Sequence, residues 1–441
     1  MNARVAVVGL WHQGLVGAAC LADWGYDVVA ADEDAAKVRK LNDGHAPLFE
    51  PGLDELIQGG RRSGRLAFTA DLAGAVGERP FVLLAHDTPV DENDRADLAP
   101  VFRAVDAIAP ALAEGVSIHV TAQVPVGTCD EIVARIRAAR PGLRFAVAYS
   151  PENLRLGQAI ERFRKPPLPI LGSDDDGIFP LLEKLYAPCG VAWQRCSLRT
   201  AEMSKHALNA FLAVSVTFAN ELGNLCDEVG ADGHRLAELL RMEPRVGPKA
   251  MLFPGLGFSG GTLARDLQTL RALGDRCGIE TPQLDGTWDS NRQQNRLVVR
   301  RLKAELDPLA GRRIAVLGLT YKPDTSTLRR SAALEVIAEL AGERCAVAAH
   351  DPRADPTELR ACGGFVLADS PIEAACGADA VVLMTPWPEY RSLDFAALKS
   401  AMRGTVVFDT ANLWKAGAVT AAGLTYLDIG RGRGAGRRTC V

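Results

Sequence analysis

The fold is decided by residues Val5 to Asp34, which read VAVVGLWHQGLVGAACLADWGYDVVAADED. A short apolar segment leads into a glycine turn, a helical pattern follows, and a second apolar segment ends at Asp32. Strand, turn, helix and strand in this order are typical of the first unit of an α/β domain that binds a nucleotide. The stretch therefore predicts a parallel sheet wrapped by helices.

The glycine turn departs from the usual pattern at one position. Such turns use one glycine for the tight turn, a second for close approach to a diphosphate, and a third for helix–strand packing. Gly9 and Gly14 hold the first and third positions, whereas Trp11 holds the second. Asp32 stands where a carboxylate can accept from the ribose hydroxyls of NAD and repel the 2′-phosphate of NADP. We expect the protein to bind NAD, with Trp11 weakening or shifting the bound cofactor. The alternative is an α/β domain that binds no dinucleotide, because any such domain can begin with strand, glycine and helix.

Length and composition limit the class of protein. The 441 residues exceed one core of usual size, so two or three domains are expected, and a hydrophobic fraction of 48% supports sizeable cores. A net charge of -4 gives no basic excess for nucleic acid or an anionic membrane surface. No apolar run is long enough to cross a bilayer, and the ten cysteines form no CxxC pair. We expect no signal peptide, because a strand is predicted within a few residues of Met1. We expect a cytoplasmic protein with reduced thiols and no metal site.

Apolar segments and helical patterns alternate through the first part of the chain, with further strands predicted at Val28–Ala31, Phe81–Ala85, Val116–Thr121 and Phe145–Ala148. One amphipathic pattern then runs from Thr200 to Val229, and a helix of this length usually spans between domains or packs against a partner subunit. Near Arg312 the opening pattern repeats as RRIAVLGL, a helical SAALEVIAELAG and CAVAAHDP, which ends at Asp351. The repeat predicts a second sheet domain.

Several longer motifs follow one another in an order that resembles the UDP-glucose/GDP-mannose dehydrogenase family from end to end. They are KVRKLNDGHAPLFEPGLDELI (Lys37–Ile57), VPVGT (Val124–Thr128), SPENLRLG (Ser150–Gly157), TAEMSKHALNAFLA (Thr200–Ala213), GLGFSGGTLARD (Gly255–Asp266) and LGLTYKPDTSTLRRS (Leu317–Ser331). The resemblance implies two Rossmann-like domains joined by a long central helix that also forms a homodimer. It also implies oxidation of the C6 alcohol of a nucleotide sugar to a carboxylate, with two hydride transfers to NAD.

The resemblance gives domain boundaries as well. We expect an NAD-binding Rossmann-like domain over residues 1–196 and a central helical region with the catalytic loop over residues 197–300. A nucleotide-sugar-binding Rossmann-like domain is expected over residues 301–430. Residues 431–441 form a Gly/Arg-rich tail that we expect to be disordered.

Five polar residues are candidates for catalysis, and the fifth, Thr262, stands at a position that departs from the family pattern. Lys205 and Asn209 are one helical turn apart and can together stabilise an oxyanion, which is the role that the resemblance implies. A solvated helix face is the alternative for this pair. Glu152 and Asp266 resemble the acids that the family uses around its hydrolysis step. A helix N-cap or an ion pair is the alternative for these two carboxylates.

Further residues are assigned to the substrate and the cofactor. Gly255, Gly257, Gly260 and Gly261 with Phe258 are expected to form a flexible loop whose backbone amides can bind a diphosphate. The resemblance implies that Arg245 reaches the sugar across the dimer and that Tyr321 and Lys322 hold the nucleotide. It places Arg329 near the cofactor, and we assign Thr88 to the cofactor site as well.

Five positions depart from the family pattern. Thr262 stands where members carry the catalytic cysteine, and the others are Trp11, Gln123, Leu156 and Arg265. A threonine hydroxyl needs a strong adjacent base to act as a nucleophile, whereas part of a cysteine is thiolate near neutral pH. Two hypotheses follow: an NAD-dependent oxidoreductase with an altered second step, or a catalytically inactive paralogue that binds a nucleotide sugar or regulates an active subunit.

Overall fold

The computed structural model describes residues 3–47, 50–91, 96–152 and 154–432. It divides into two compact units, Met1–Ala207 and Leu208–Val441. The boundaries expected near residues 196 and 300 stay predictions. The expected disorder of the tail concerns mainly residues 433–441, which lie outside the described residues.

The first unit is built on a sheet of eight described strands. They are β1 (Arg4–Val8), β2 (Asp27–Ala31), β3 (Leu66–Thr69), β4 (Phe81–Leu84), β5 (Val116–Val120), β6 (Phe145–Tyr149), β7 (Ile170–Gly172) and β8 (Gln194–Cys196). The spatial order is β3-β2-β1-β4-β5-β6-β7-β8, and neighbouring strands are parallel except β6 and β7, which are antiparallel. All five predicted strands are confirmed, whereas β3, β7 and β8 were not predicted.

Helices cover both faces of this sheet. They are α1 (His12–Asp23), α2 (Ala35–Asn42), α3 (Leu53–Arg62), α4 (Leu72–Val76), α5 (Ala99–Ile108), α6 (Thr128–Ala139), α7 (Ala159–Arg164) and α8 (Ile178–Leu185), with short 3-10 turns at Ala109–Ala111 and Ala187–Cys189. Alternate residues of β1 enter different cores: Val5 and Val7 pack with α1, and Ala6 and Val8 pack with α5 and α6. Burial on both faces explains why the central strands are mostly apolar.

The sheet order places a crevice beside the glycine turn. The chain runs from β1 outward to β2 and β3, then returns to pair β4 with the other side of β1. Helical connections leave in opposite directions at this point, so the carboxyl ends of β1 and β4 border a crevice. Ligands of open α/β sheets bind at such a switch point, and Gly9 follows β1 there.

A 32-residue helix, α9 (Leu198–Val229), contains the boundary between the units and confirms the predicted long helix. The second unit continues with α10 (Gly233–Arg241), α11 (Thr262–Cys277) and α12 (Pro282–Leu306). Its parallel sheet has the order β11-β10-β9-β12-β13-β14. These strands are β9 (Arg313–Leu317), β10 (Ala346–His350), β11 (Val366–Leu367), β12 (Ala380–Leu383), β13 (Val406–Asp409) and β14 (Thr425–Leu427). The flanking helices are α13 (Ala332–Gly342), α14 (Pro356–Ala361), α15 (Pro371–Ala374), α16 (Phe395–Ala401) and α17 (Ala416–Ala421), with a 3-10 turn at Pro388–Ser392.

The sequence repeat is also a repeat of geometry. Gly9 has φ +96° and Gly318 has φ +90°, a region that glycine enters without strain. In each unit the amide after this glycine donates to an aspartate oxygen at 2.7 Å, Asp32 in the first and Asp351 in the second. The indole N–H of Trp387 also donates to Asp351, at 3.1 Å. The fold is therefore α/β with two parallel-sheet domains, as predicted. No helix among the described residues is long and apolar enough to cross a membrane.

Candidate functional site

The two predicted glycines of the first turn are required by its geometry. A Cβ on Gly14 would lie 1.8 Å from the carbonyl oxygen of Gly9, so no side chain fits between helix α1 and the turn. A Cβ on Gly9 would meet His86, with Nδ1 at 2.8 Å and Cα at 2.9 Å. Both contacts are shorter than packed atoms tolerate. The turn therefore brings backbone close to the crevice, as binding of a dinucleotide requires.

Trp11 occupies the turn without strain. Its backbone has φ -85° and ψ -163°, which is extended and suits any residue, and its side chain is 42% exposed. The indole therefore leaves the turn toward solvent rather than filling it. The first amides of α1, which begins at the next residue, have no intrahelical acceptor. Such amides bind anions, so the turn still fits a diphosphate.

Asp32 is held firmly at the end of β2. It is 5% exposed, and its carboxylate accepts the amides of Leu10 at 2.7 Å and Asp34 at 3.0 Å. The ammonium group of Lys37 lies 2.8 Å from Oδ2. These contacts hold the carboxylate in place as an acceptor for ribose hydroxyls. The Lys37 partner was not predicted, and it partly offsets the charge that would repel a 2′-phosphate.

Replacing Asp32 tests the cofactor site. We expect Asp32→Ala to weaken NAD binding by about 1–3 kcal/mol, because the ribose hydroxyls lose a charged acceptor. Isothermal titration calorimetry with NAD measures the change. Asp351→Asn, at the equivalent position of the second sheet, is the matched control and should leave the NAD affinity unchanged. Equal NAD affinity in Asp32→Ala and the natural protein would contradict Rossmann-type binding in the first unit.

The predicted oxyanion pair on α9 is buried. Lys205 is 7% exposed and Asn209 is 5% exposed, so the alternative of a solvated helix face is wrong. Within the second unit, the Asn209 side-chain amide donates to Oδ2 of Asp266, which is fully buried in α11. Asp266 is the fifth residue of that helix, so it is not an N-cap. The structure thus joins two residues that are 57 positions apart in sequence.

Glu152 lies half-buried in the loop after β6, where one carboxylate oxygen accepts the amide of Leu154. It borders a cavity of about 80 Å³ in the first unit. A buried polar network forms part of the cavity wall: the His119 ring nitrogens lie 2.8 Å from the Ser150 and Tyr186 hydroxyls. Burial lowers the pKa of His119 to about 3, so this ring is neutral. The network was not predicted, because His119 lies inside an apolar strand pattern.

The prediction of a flexible loop at Gly255–Gly261 requires a correction. The amides of Gly255, Gly257 and Phe258 donate to the side-chain oxygens of Asn220, Asn295 and Asn291 at 2.8, 3.2 and 2.6 Å. The Gly260 amide donates to the Arg330 carbonyl at 3.1 Å. These four donors are used within the protein and are not available to a diphosphate. The expected flexible loop is instead tied to α9 and α12.

Gly257 and Gly260 have packing roles in this loop. A Cβ on Gly257 would lie 2.7 Å from Oδ1 of Asn291, and one on Gly260 would lie 2.8 Å from the Tyr321 ring. Phe258 lines a cavity of about 360 Å³ in the second unit, together with Trp288, Arg292 and Arg330 among others. Phe258 therefore remains available to a ligand through its ring rather than its amide.

Thr262 is the first residue of α11 and is exposed. Within the part of the chain that the structure describes, its hydroxyl has no hydrogen-bond partner, and hence no base that could activate it. His206 on α9 has its Nε2 at 2.9 Å from the Val124 carbonyl oxygen. The start of a 16-residue helix favours negative charge on the group that occupies it.

The remaining predicted residues differ in their burial and in their contacts. The Tyr321 carbonyl accepts the Ser259 hydroxyl at 3.2 Å, and the Lys322 ammonium lies 5.5 Å from the centre of the Tyr321 ring. Arg245 has an 88% exposed side chain that pairs with Glu243. Arg329 is exposed, whereas Thr88 is buried and donates to the Gln123 carbonyl at 2.6 Å. No cluster of three metal-binding side chains occurs among the described residues.

Comparison with known proteins gives consistent matches along the chain. Residues 3–190 match the NAD binding domain of the UDP-glucose/GDP-mannose dehydrogenase family, residues 199–293 its central domain and residues 315–416 its UDP binding domain. The chain is 36% identical over 436 residues to the UDP-glucose 6-dehydrogenase of Rhizobium meliloti (strain 1021), with 97% of this chain and 99% of that protein covered. The UDP-glucose 6-dehydrogenase of Pseudomonas aeruginosa is 34% identical, with 98% of both chains covered.

Solved structures agree with these matches. A UDP-glucose dehydrogenase from Pyrobaculum islandicum is 30% identical, with a TM-score of 0.86 over 97% of both chains. A UDP-D-ManNAc dehydrogenase from Pyrococcus horikoshii is 27% identical, with a TM-score of 0.84 over 97% of this chain and 99% of that one. This chain therefore belongs to the UDP-glucose/GDP-mannose dehydrogenase family and is an NAD-dependent nucleotide-sugar dehydrogenase, as its three matched domains and its glycine turn with Asp32 show.

Proposed function

We propose that the protein oxidises the C6 alcohol of a UDP-sugar, with UDP-glucose as the first substrate to test. The single observation that carries the proposal is the buried bond between Asn209 and Asp266. A buried polar pair costs free energy to maintain, and the proposed chemistry gives this pair a use. The names of the relatives at 36% and 34% identity favour UDP-glucose.

The roles of the residues follow from their chemistry. Asp266 orients the Asn209 side chain, because the amide N–H that it accepts leaves the Asn209 carbonyl and second N–H in a fixed direction. Lys205, one turn earlier on α9, adds a positive charge on the same side of the helix. Together they stabilise negative charge on the C6 oxygen. NAD, when bound at the Gly9 turn, is the hydride acceptor.

We infer that the second oxidation is altered. Thr262 has no described base beside it, so its hydroxyl is not a nucleophile for an aldehyde. It can hydrogen-bond the C6 oxygen instead. The alternative, an inactive paralogue that binds a nucleotide sugar, draws on the replaced positions Trp11, Gln123, Leu156, Thr262 and Arg265. The buried Asn209–Asp266 pair favours the active enzyme.

A substrate panel tests the proposal. NADH absorbance is followed after mixing the protein and NAD with UDP-glucose, a UDP-N-acetylhexosamine or GDP-mannose. We expect turnover with a UDP-sugar and none with GDP-mannose. Asp266→Asn tests the pair itself: it keeps the size of the side chain while disturbing the bond to Asn209, so we expect turnover with a UDP-sugar to fall. Calorimetric binding of a UDP-sugar without any NADH would support the inactive paralogue.

We also propose a cytoplasmic homodimer. Phe211, Phe218 and Leu225 recur every seven residues on α9 and are 67%, 50% and 61% exposed. Residues seven apart lie on one side of a helix, so the three form an apolar stripe, which a second copy of the helix can cover. The nine described cysteines are free thiols, which supports a reducing compartment.

A charge on this stripe tests the dimer. We expect Phe218→Glu to convert the dimer to a monomer, because the glutamate would have to lose its hydration in the interface. Light scattering at micromolar concentration measures the mass. Leu367→Glu, on β11 and also 50% exposed, is the matched control and should remain dimeric. A monomeric natural protein at that concentration would remove the dimer proposal.

A further inference from the structure

His86 lies at the switch point of the first sheet, where no motif predicted a functional residue. It follows the end of β4 by two residues, and β4 pairs with β1 in the sheet. Its ring is packed against the glycine turn, since a Cβ on Gly9 would lie 2.8 Å from His86 Nδ1. The side chain therefore borders the crevice in which ligands of such sheets bind.

The two ring nitrogens of His86 differ in their surroundings. His86 is 9% exposed, and its Nδ1 is buried without a hydrogen-bond partner among the described residues. Nε2 has no hydrogen-bond partner among the described residues either, but unlike Nδ1 it is not fully buried and can meet a ligand. A buried polar atom without a partner is uncommon in folded proteins and calls for an explanation.

Burial determines both the protonation state of the His86 ring and which nitrogen carries its proton. Burial lowers the pKa of His86 below its ordinary value, although the neighbouring Asp32 and Glu33 carboxylates oppose the shift. The ring is therefore neutral near pH 7 and carries one proton. An N–H at Nδ1 would point at the glycine backbone with no acceptor, whereas an unprotonated Nδ1 leaves only a lone pair there. The proton consequently belongs on Nε2, which makes Nε2 a donor toward the crevice.

We propose that the Nε2–H of His86 donates a hydrogen bond to the diphosphate of bound NAD. This donor would add to the first amides of α1, since the ammonium of Lys37 is engaged with Asp32 and Trp11 replaces the glycine that allows the closest backbone approach. A side chain can reach a diphosphate that lies farther from the turn. His86 is thus a cofactor-positioning residue that compensates for Trp11. The inference rests on NAD binding in the first unit.

Binding measurements test the donor. His86→Phe keeps a ring against Gly9 but removes the N–H, and we expect it to weaken binding of both NAD and ADP-ribose about ten- to a hundredfold. Adenosine, which has no phosphate, should bind both proteins alike. His86→Gln, whose side-chain amide can donate, should recover part of the loss. Thermal unfolding of each variant shows whether the first unit is intact.

The nuclear magnetic resonance shifts of the ¹⁵N-labelled ring provide a second readout that needs no activity. Nε2 should be protonated and Nδ1 unprotonated at pH 7, and addition of ADP-ribose should shift Nε2 more than Nδ1. A proton on Nδ1, unchanged ADP-ribose affinity in His86→Phe, or an equal loss for adenosine would overturn the proposal. If the natural protein itself does not bind NAD, the cofactor site is wrong as a whole. A measurement on the natural protein therefore separates this outcome from a failure of the His86 proposal.

Discussion

One NADH per molecule of UDP-sugar is the expected yield of this enzyme, where complete oxidation to a carboxylate gives two. The first step removes hydride from C6 to NAD and a proton from the hydroxyl to solvent, and it needs no covalent bond to the protein. The second hydride can leave only after a nucleophile of the protein, or water, has added to the aldehyde carbon. Thr262 is exposed at the start of α11 without a described base, so we expect the aldehyde or its hydrate to be released.

The yield is measured with limiting UDP-sugar, excess NAD and semicarbazide. Semicarbazide removes released aldehyde, so the reversible first step runs to completion, but it does not reach an aldehyde held on the protein. Mass spectrometry should show the trapped aldehyde and no acyl adduct on the intact chain. Two NADH per sugar with carboxylate formed at a matching rate would contradict this account of Thr262. No NADH with any UDP-sugar would favour the inactive paralogue.

The same NADH yield measured on the Thr262→Cys variant tests whether a thiol restores the second oxidation. A cysteine at the first position of α11 would have a lowered thiol pKa, because the helix N-terminus stabilises the thiolate. We expect a second, slower NADH, provided that Glu152 and Asp266 position water for hydrolysis. Thr262→Ser keeps a hydroxyl and should remain at one NADH, so it separates the effect of sulfur from that of side-chain size.

The features that could be predicted from the sequence are those that depend on residues close together in the chain. Gly9 and Gly14 are read directly from spacing because a positive φ and a close backbone contact each require glycine at one position. Strands β1, β4 and β5 were found because central parallel strands are mostly apolar and β-branched. Strands β7 and β8 have only three residues each, too few for a pattern to separate them from loops. They were missed for that reason.

Helix α12 shows why the catalytic loop was described wrongly. Its Asn291, Gln294 and Asn295 are buried, so the helix has polar residues on an inward face and no amphipathic pattern. Asn291 and Asn295 face inward because their side-chain oxygens accept the amides of Phe258 and Gly257. A run of glycines therefore indicated flexibility, while the residues that fix the loop lay over thirty positions away. Such long-range contacts cannot be read from composition or period.

Lys205→Met should lower kcat with a UDP-sugar by about 10²- to 10³-fold, the usual cost of removing one donor to an oxyanion. Lys205 is 7% exposed, so its charge acts where water screens it little. Methionine keeps the length and the apolar stem, and the change therefore removes mainly the ammonium group. The affinity for NAD should stay within about twofold, because the proposed cofactor site at the Gly9 turn and Asp32 does not include Lys205.

Stopped-flow NADH absorbance gives kcat for this variant, and calorimetry gives its NAD affinity. Lys184→Met, an exposed lysine on α8, is the matched control and should keep the natural kcat. A purely structural role for Lys205 would lower the unfolding temperature and NAD affinity together, whereas the proposed role lowers kcat alone. If Lys205→Met retains more than about a tenth of the natural kcat, the activation free energy has risen by less than about 1.4 kcal/mol. The ammonium group would then not stabilise the reacting oxygen. The oxyanion role would then fall to Asn209, whose direction Asp266 fixes.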